Sequence, residues 1–88
     1  MKFEWDEDKN LANIEKHGIS FEEAMQALLD PRRKIRLNTK HSAVEMRYYC
    51  LGKVGDRVLT VRFIVRGSKV RIIGAGYWRE GRKIYEQN

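Results

Sequence analysis

Two segments separated by Gly67-Ser68 decide the predicted fold: RVLTVRFIVR at residues 57–66 and KVRIIGAGY at residues 69–77. Both are rich in β-branched residues, and in the first of them apolar and polar positions alternate as in a half-buried strand. A two-residue connection that begins with glycine is typical of a tight hairpin. The pair therefore predicts two neighbouring antiparallel strands.

The flanking sequence completes an α+β pattern in the order β-α-α-β-β-β-β-α. Asp6 and Ser20 are predicted to cap two helices, Ser20 and Glu23 have the form of a capping box, and Gly18 suits a left-handed C-terminal residue. We expect strands at 2–5, 32–38 and 44–50, and helices at 6–17, 20–30 and 78–87. The apolar stripe predicted for the first helix consists of Leu11, Ala12 and Ile14.

This pattern predicts one domain over residues 1–88, with an antiparallel sheet, two N-terminal helices and a C-terminal helix packed on one sheet face. The chain has 88 residues, of which 42% are hydrophobic, and it lacks an apolar run of the ~20 residues that a membrane span needs. The acidic N-terminus does not resemble a signal peptide, and a single cysteine, Cys50, cannot form an internal disulfide. We therefore expect a cytoplasmic protein.

Charge is distributed unevenly along the sequence. Residues 1–30 have three basic and eight acidic side chains, a net charge of −5, whereas residues 31–88 have fifteen basic and four acidic side chains, a net charge of +11. A basic segment of this kind indicates a polyanionic partner, although a basic surface without a partner is the alternative.

Strand alternation places four arginines on one face of the sheet, away from the helices. The residues predicted to share this open face are Glu45, Arg47, Tyr49, Thr60, Arg62, Arg66, Arg71 and Tyr77. Arginine forks bind phosphate in a bidentate manner, and tyrosine rings stack on unpaired bases. The open face therefore predicts binding of single-stranded RNA.

Two titratable residues are candidates for proton transfer. Glu45 is either a general base for a ribose 2′-hydroxyl or the partner of Arg47, Arg62 or Arg71 in a cross-strand ion pair. His17 is either an acid or base, or a residue that complements the dipole of the first helix. The histidines, cysteine and acids do not have metal-ligand spacing, so we expect no metal and no cofactor.

The sequence resembles the BrnT toxins, which are ribonucleases of a type II toxin–antitoxin system. The N-terminal similarity lies in Phe3-Glu4-Trp5-Asp6, Lys9, Asn13, Lys16-His17-Gly18-Ile19-Ser20-Phe21 and Ala24. It continues through Glu45-x-Arg47-Tyr48, Gly52, Arg57, Arg71-Ile72-Ile73, Glu80, Arg82 and Tyr85-Glu86.

The resemblance implies a fold similar to RelE ribonucleases and cleavage of RNA, expected to be mRNA, without a metal, which blocks translation and halts growth. It also implies a ribbon-helix-helix antitoxin that represses the shared operon, so that operator DNA is contacted only through the antitoxin. One segment differs: the family usually has a serine and an arginine where this chain has Gly74 and Gly76. This difference predicts a weak ribonuclease, with Trp78 and Arg79 able to supply a stacking ring and a replacement arginine.

The residues and the resemblance together give two sets of candidates. The catalytic candidates are Glu45, His17, Arg62, Arg66, Arg71 and Tyr85. The RNA-binding candidates are Arg47, Tyr49, Tyr77, Arg79 and Arg82. Two alternatives use the same basic face: a module that binds nucleic acid without cleaving it, and a domain that docks on an acidic protein.

Overall fold

A computed structural model describes residues 2–38 and 45–87 and confirms the α+β class and the predicted order of elements. The elements are β1 (Lys2–Glu4), α1 (Glu7–His17), α2 (Phe21–Leu28), β2 (Lys34–Leu37), β3 (Arg47–Val54), β4 (Arg57–Arg66), β5 (Lys69–Gly76) and α3 (Arg79–Glu86).

Both N-terminal helices begin where their capping residues predict, and α1 also ends as predicted, whereas α2 ends at Leu28, two residues before the expected end. The Asp6 carboxylate accepts from the backbone N–H groups of Asp8 and Lys9, and Gly18 ends α1 in the left-handed region at φ 69°. At α2, Ser20 and Glu23 form the complete reciprocal capping box. These local bonds satisfy amides and carbonyls that a helix end leaves open, which is why the boundaries could be predicted closely.

The strands of the described sheet lie in the order β1-β5-β4-β3-β2. The β2–β3, β3–β4 and β4–β5 pairs are antiparallel, whereas β1 is parallel to β5, with Phe3 opposite Val70. The expected antiparallel meander is confirmed for β2 to β5, and the parallel pairing of β1 makes the described sheet mixed. Parallel neighbours need a long connection, and the chain between β1 and β5 is long enough to let them run in the same direction.

Strand β3 extends further than predicted. It spans Arg47–Val54 instead of the predicted 44–50, and it therefore continues through Gly52. A β-carbon on Gly52 would overlap the backbone carbonyl of Ala27 in α2, so this glycine permits the helix to lie directly on the strand. Residue 44 is outside the described part of the chain, and Glu45 precedes the strand instead of lying in it.

The core lies between α2 and one face of the sheet, the helix face. Phe21, Ala24 and Ala27 are fully buried there against the alternating apolar residues of the central strands. These strand residues are Cys50, Leu59, Val61, Phe63, Val70, Ile72 and Ala75. In residues 2–38 and 45–87 no helix has the length and apolar character needed to cross a bilayer.

Helix α3 packs on the opposite face, so the expectation that the helices share one face is wrong. A β-carbon on Gly81 would overlap Thr60 Oγ1 and Leu51 Cδ1, which shows how closely α3 lies over β3 and β4. Thr60 and Leu51 are register partners, and they alternate with the core residues Val61 and Cys50. Glycine usually destabilises the interior of a helix, but here Gly81 is the residue that lets α3 pack closely on the sheet.

A β-bulge in β5 changes the predicted faces of the second half of that strand. Arg62 pairs with Gly74 and Phe63 pairs with Ile72, so Ile73 is the extra residue. After the bulge, Gly74 and Gly76 lie on the open face, and Tyr77 does not lie there as predicted, because one extra residue reverses the alternation. Tyr77 instead accepts a hydrogen bond from Arg57 Nη1 at 3.0 Å.

Helix α1 buries asparagines and not the predicted apolar stripe. Asn10 and Asn13 are buried, whereas Leu11 is 57% and Ile14 is 40% exposed. Asn10 Oδ1 accepts from Phe21 N–H at 2.8 Å, and Asn13 donates to the Ile19 carbonyl at 2.9 Å. Helix α1 is thus held by hydrogen bonds to the α1–α2 connection, and hydrophobicity alone could not locate its buried side.

Candidate functional site

A cleft of about 220 Å³ on the open face brings most of the predicted arginines together. We call it the basic cleft; its lining residues are Lys9, Glu45, Arg47, Arg62, Ile64, Arg66, Arg71 and Ile73. It contains five cations and one carboxylate, contributed by α1, β3, β4, β5 and the segment before β3. Such a concentration of positive charge suits a phosphate group.

Strand register explains why these arginines meet. Arg47 on β3 and Arg71 on β5 are both opposite Ile64, the central residue of the row. Arg62 and Arg66 lie two residues before and after Ile64 on β4, and therefore point to the same face. This part of the sheet precedes the bulge, so the simple alternation predicted it correctly.

Two of the arginines are paired with carboxylates. Arg66 Nη2 lies 3.5 Å from Glu45 Oε1, and Arg71 Nη1 lies 3.1 Å from Glu4 Oε2. Glu45 is therefore in an ion pair with Arg66, which was not among the predicted partners. The pKa of Glu4 is lowered, chiefly by the hydrogen bond from Arg71, with Lys69 also contributing. Glu4 was absent from the predicted site.

Arg62 is held differently. Among residues 2–38 and 45–87 it forms no ion pair with a carboxylate, and its Cζ lies 5.9 Å from the centroid of the Trp78 ring. A β-carbon on Gly74 would overlap the Arg62 guanidinium, and one on Gly76 would lie 2.7 Å from the Trp78 ring. The space above the two unusual glycines is thus occupied by Arg62 and Trp78.

One stripe of α1 contributes to the same region. Lys9 lines the basic cleft, Asn13 Oδ1 accepts from Ala75 N–H at 3.2 Å, and His17 lies edge-on to Trp78 with ring centroids 6.0 Å apart. These three residues are four positions apart, so they lie on one side of the helix. Lys9 was missed as a site residue, and this spacing within the family signature was the signal that could have identified it.

The remaining candidates lie around α3 and outside the basic cleft. Tyr49 pairs with Arg62 across β3 and β4 and lines a neighbouring cavity. Tyr77, Arg79 and Arg82 line a cavity of about 440 Å³ beside Arg57. Tyr85 donates a hydrogen bond to Asp30 Oδ2 at 2.6 Å. The structure thus separates the cleft arginines and Glu45 from the tyrosines and the α3 arginines.

Two other kinds of chemistry have little support in the described residues. No group of three or more histidine, cysteine, aspartate or glutamate side chains in residues 2–38 and 45–87 could hold a metal ion. Burial raises the pKa of Cys50 to about 12, so this thiol is not a nucleophile at neutral pH. What the cleft does offer is several cations around a space of phosphate size, with one carboxylate beside them.

A comparison with known proteins identifies the family. No curated protein matches the sequence significantly. A family model described as the ribonuclease toxin BrnT of type II toxin–antitoxin systems matches residues 5–81, which include every residue that lines the basic cleft. Membership in such a family implies an RNA substrate and an antitoxin partner. The chain belongs to the BrnT family of ribonuclease toxins of type II toxin–antitoxin systems.

Proposed function

We propose that this protein is a metal-independent endoribonuclease that binds the scissile phosphate of single-stranded RNA in the basic cleft, and that inhibits translation and growth by cleaving mRNA. The observation that supports the proposal is the gathering of Lys9, Arg47, Arg62, Arg66 and Arg71 around one cleft with Glu45 beside them. Guanidinium groups that are already in place stabilise the charge that develops on a phosphate in the transition state.

In the proposed reaction, Glu45 accepts the proton of the ribose 2′-hydroxyl. The 2′ oxygen then bonds to phosphorus, the bond to the 5′ oxygen of the next nucleotide breaks, and that oxygen takes a proton from water. The contact with Arg66 at 3.5 Å holds Glu45 at the cleft until a phosphate competes for the arginine. His17, the other candidate base, contacts Trp78 and does not line the cleft.

The cleft arginines have different proposed tasks. Arg62, which no described carboxylate neutralises, is the principal ligand of the transition-state phosphate. Arg71 is fixed by Glu4 and positions the RNA backbone together with Arg47. Tyr49 and Trp78 provide rings beside the cleft, whereas Tyr77, Arg79, Arg82 and Tyr85 are further along the path that a longer RNA would follow.

The experiment that tests this function follows cleavage of a mixed-sequence RNA by the purified protein in excess EDTA. We expect cleavage to persist, and Arg62→Ala to lower its rate by about 10²–10³, the loss seen when one transition-state donor is removed. Glu45→Gln should lower the rate by about 10²–10⁴. Arg33→Ala, which removes an exposed arginine beside Leu28 and Phe63 of the helix face, is the matched control and should cleave like the wild type.

Three results would contradict the proposal. Activity that EDTA abolishes and magnesium restores would replace the arginine mechanism by a metal mechanism. RNA that is bound tightly but stays intact would favour the module that binds nucleic acid without cleaving it. Equal losses of RNA binding and cleavage in Arg62→Ala would show that this arginine only positions the strand.

We propose further that the antitoxin is a ribbon-helix-helix protein whose acidic side chains cover the Arg62, Arg66 and Arg71 surface, and which contacts operator DNA itself. Charge pairs on an exposed surface are screened over about 10 Å at 0.1 M salt. Affinity for the antitoxin should therefore fall with added salt and in Arg62→Ala. An affinity insensitive to both changes would exclude this surface as the contact.

A further inference from the structure

A second cavity of about 270 Å³ adjoins the basic cleft on the open face. We call it the ring pocket; its walls include Tyr49, Thr60, Arg62, Trp78, Glu80 and Ile84. Arg62 lines both cavities, so a group in the ring pocket would be directly beside a phosphate in the basic cleft. If the scissile phosphate binds in the basic cleft as proposed, a ligand group in the ring pocket lies next to it.

The ring pocket owes its shape to three glycines of this chain. Gly76 leaves room for the Trp78 ring over β5, Gly74 leaves room for the Arg62 guanidinium, and Gly81 lets α3 approach Thr60. Tyr49 is on β3, two strands from Gly76 on β5, a separation of about 10 Å at the usual strand spacing. Two aromatic side chains at this separation can enclose one flat ring, as in proteins that stack single-stranded bases.

Polar groups in the walls indicate which flat ring fits. Thr60 is 9% exposed, and its Oγ1 is buried with no hydrogen-bond partner in residues 2–38 and 45–87. This oxygen lies beneath Gly81 of α3, where a β-carbon would overlap it, so a ligand in the ring pocket does not contact it. Glu80 adds a carboxylate, which can only accept hydrogen bonds when ionised.

We propose that the ring pocket binds one unpaired guanine of the RNA, next to the scissile phosphate. Guanine presents two adjacent N–H donors on its Watson–Crick edge, which match the two oxygens of the Glu80 carboxylate. The other three bases place an acceptor beside their donor on that edge, and the carboxylate repels it. Tyr49 and Trp78, which line the pocket, stack on the base.

The test separates binding from cleavage by using short 2′-O-methyl RNA, which lacks the attacking hydroxyl. Affinity is measured by fluorescence anisotropy for an all-uridine strand and for the same strand with one guanosine. We expect the guanosine strand to bind about tenfold more tightly, the scale of one good bidentate contact. Glu80→Gln should remove most of this preference, because an amide offers one acceptor and one donor. Glu22→Gln, the same change at an exposed carboxylate of α2, should retain it.

Two further variants distinguish a binding role from a structural one. Thr60→Val removes a hydroxyl that Gly81 covers, so it should leave both the unfolding midpoint and the binding of the guanosine strand unchanged. Trp78→Ala should weaken binding of both strands about tenfold by removing a stacking surface.

The inference is overturned if the wild type binds both strands equally, if Glu80→Gln leaves the preference unchanged, or if Glu22→Gln also removes it. Failure of the inference can be told apart from failure of the proposed function. If the protein cleaves RNA but shows no preference for guanosine, the proposed function is supported and the ring-pocket assignment is wrong. If the protein prefers the guanosine strand through Glu80 but cleaves no RNA, the ring-pocket assignment is supported and the proposed ribonuclease function is wrong.

Discussion

The two faces of the same strands have opposite chemistry. On the helix face, Cys50, Val61 and Ile72 are fully buried under α2, and the buried asparagines of the adjoining α1 have hydrogen-bond partners. On the open face, Arg62 lines both cavities and has no described carboxylate partner. Groups that are saturated stabilise the fold, and groups that are unsaturated are available to a ligand.

The largest effect that tests this contrast comes from the same substitution on each face. Gly52→Ala places a methyl group against the Ala27 backbone carbonyl, which cannot move unless α2 leaves the sheet. We expect a loss of about 3 kcal/mol in the free energy of unfolding, measured by urea titration. The nearest atoms to a methyl group in Gly76→Ala belong to the Trp78 ring, a 40% exposed side chain that can move without shifting the backbone, so the cost should be under about 1 kcal/mol.

Equal losses in Gly52→Ala and Gly76→Ala would contradict the contrast. They would mean that Trp78 is as firmly fixed as the backbone of α2, and that the open face is part of the folding core. The Gly76→Ala protein should instead lose affinity for short single-stranded RNA, because the displaced indole no longer bounds the ring pocket.

An intermediate effect is expected from the buried asparagine of α1. Asn13→Ala removes the bond to the Ile19 carbonyl and leaves the Ala75 N–H, just after the bulge, without its partner. An unsatisfied buried amide costs about 1–3 kcal/mol, so we expect a loss of about 2 kcal/mol in urea unfolding. The control is Leu11→Ala, at an exposed site on the same helix, which should cost under about 0.5 kcal/mol. If Asn13→Ala lost as little unfolding free energy as Leu11→Ala, the hydrogen bonds of Asn13 would not be stabilising the fold.

These residues also show how much the sequence could predict. Caps and hairpins depend on neighbouring residues, so Asp6, Gly18, Ser20 and the strand boundaries at 57–66 followed from local patterns. Alternation then placed the cleft arginines on one face, because the strands are regular up to Ile72. Every step that was right required only the geometry of a single strand or a single helix end.

The errors share a different cause. The bulge at Ile73, the buried side of α1 and the face chosen by α3 each depend on contacts between elements distant in sequence. Asn13 is polar and therefore invisible to hydrophobic periodicity, although it accepts from the N–H of Ala75, a residue 62 positions away. Gly81 likewise resembles a helix breaker until Thr60 is placed beneath it.

The smallest expected effect concerns a hydrogen bond that joins the two faces. Asp30 follows α2 on the helix face, and its Oδ2 accepts from Tyr85 of α3 at 2.6 Å and from Lys53 N–H at 2.7 Å. Burial acts to raise the pKa of Asp30, but the bonds from Tyr85, Lys53 and Arg32 outweigh it and the pKa is lowered. The bond to Asp30, together with burial, raises the pKa of Tyr85.

These two shifts set the pH range over which the bond stabilises the protein. A lowered pKa at Asp30 means that its contribution is complete above 3.8 and disappears as the pH falls through the lowered value. A raised pKa at Tyr85 means that its contribution is complete below 10.0 and disappears as the pH rises through the raised value. Tyr85→Phe should therefore cost about 1 kcal/mol between these limits and less outside them.

Urea unfolding of the wild type and of Tyr85→Phe at a series of pH values measures this difference. Tyr77→Phe is the matched control, since its hydroxyl bonds to Arg57 and not to a carboxylate, and its cost should not decline in acid. A Tyr85→Phe difference that stays constant from neutral pH to below the Asp30 pKa would show that the hydroxyl does not depend on the ionised carboxylate. Helix α3 would then be held to the sheet by contacts that do not depend on the charge of Asp30, such as the hydrogen bonds that Lys34 Nζ donates to the carbonyls of Ile84 and Gln87.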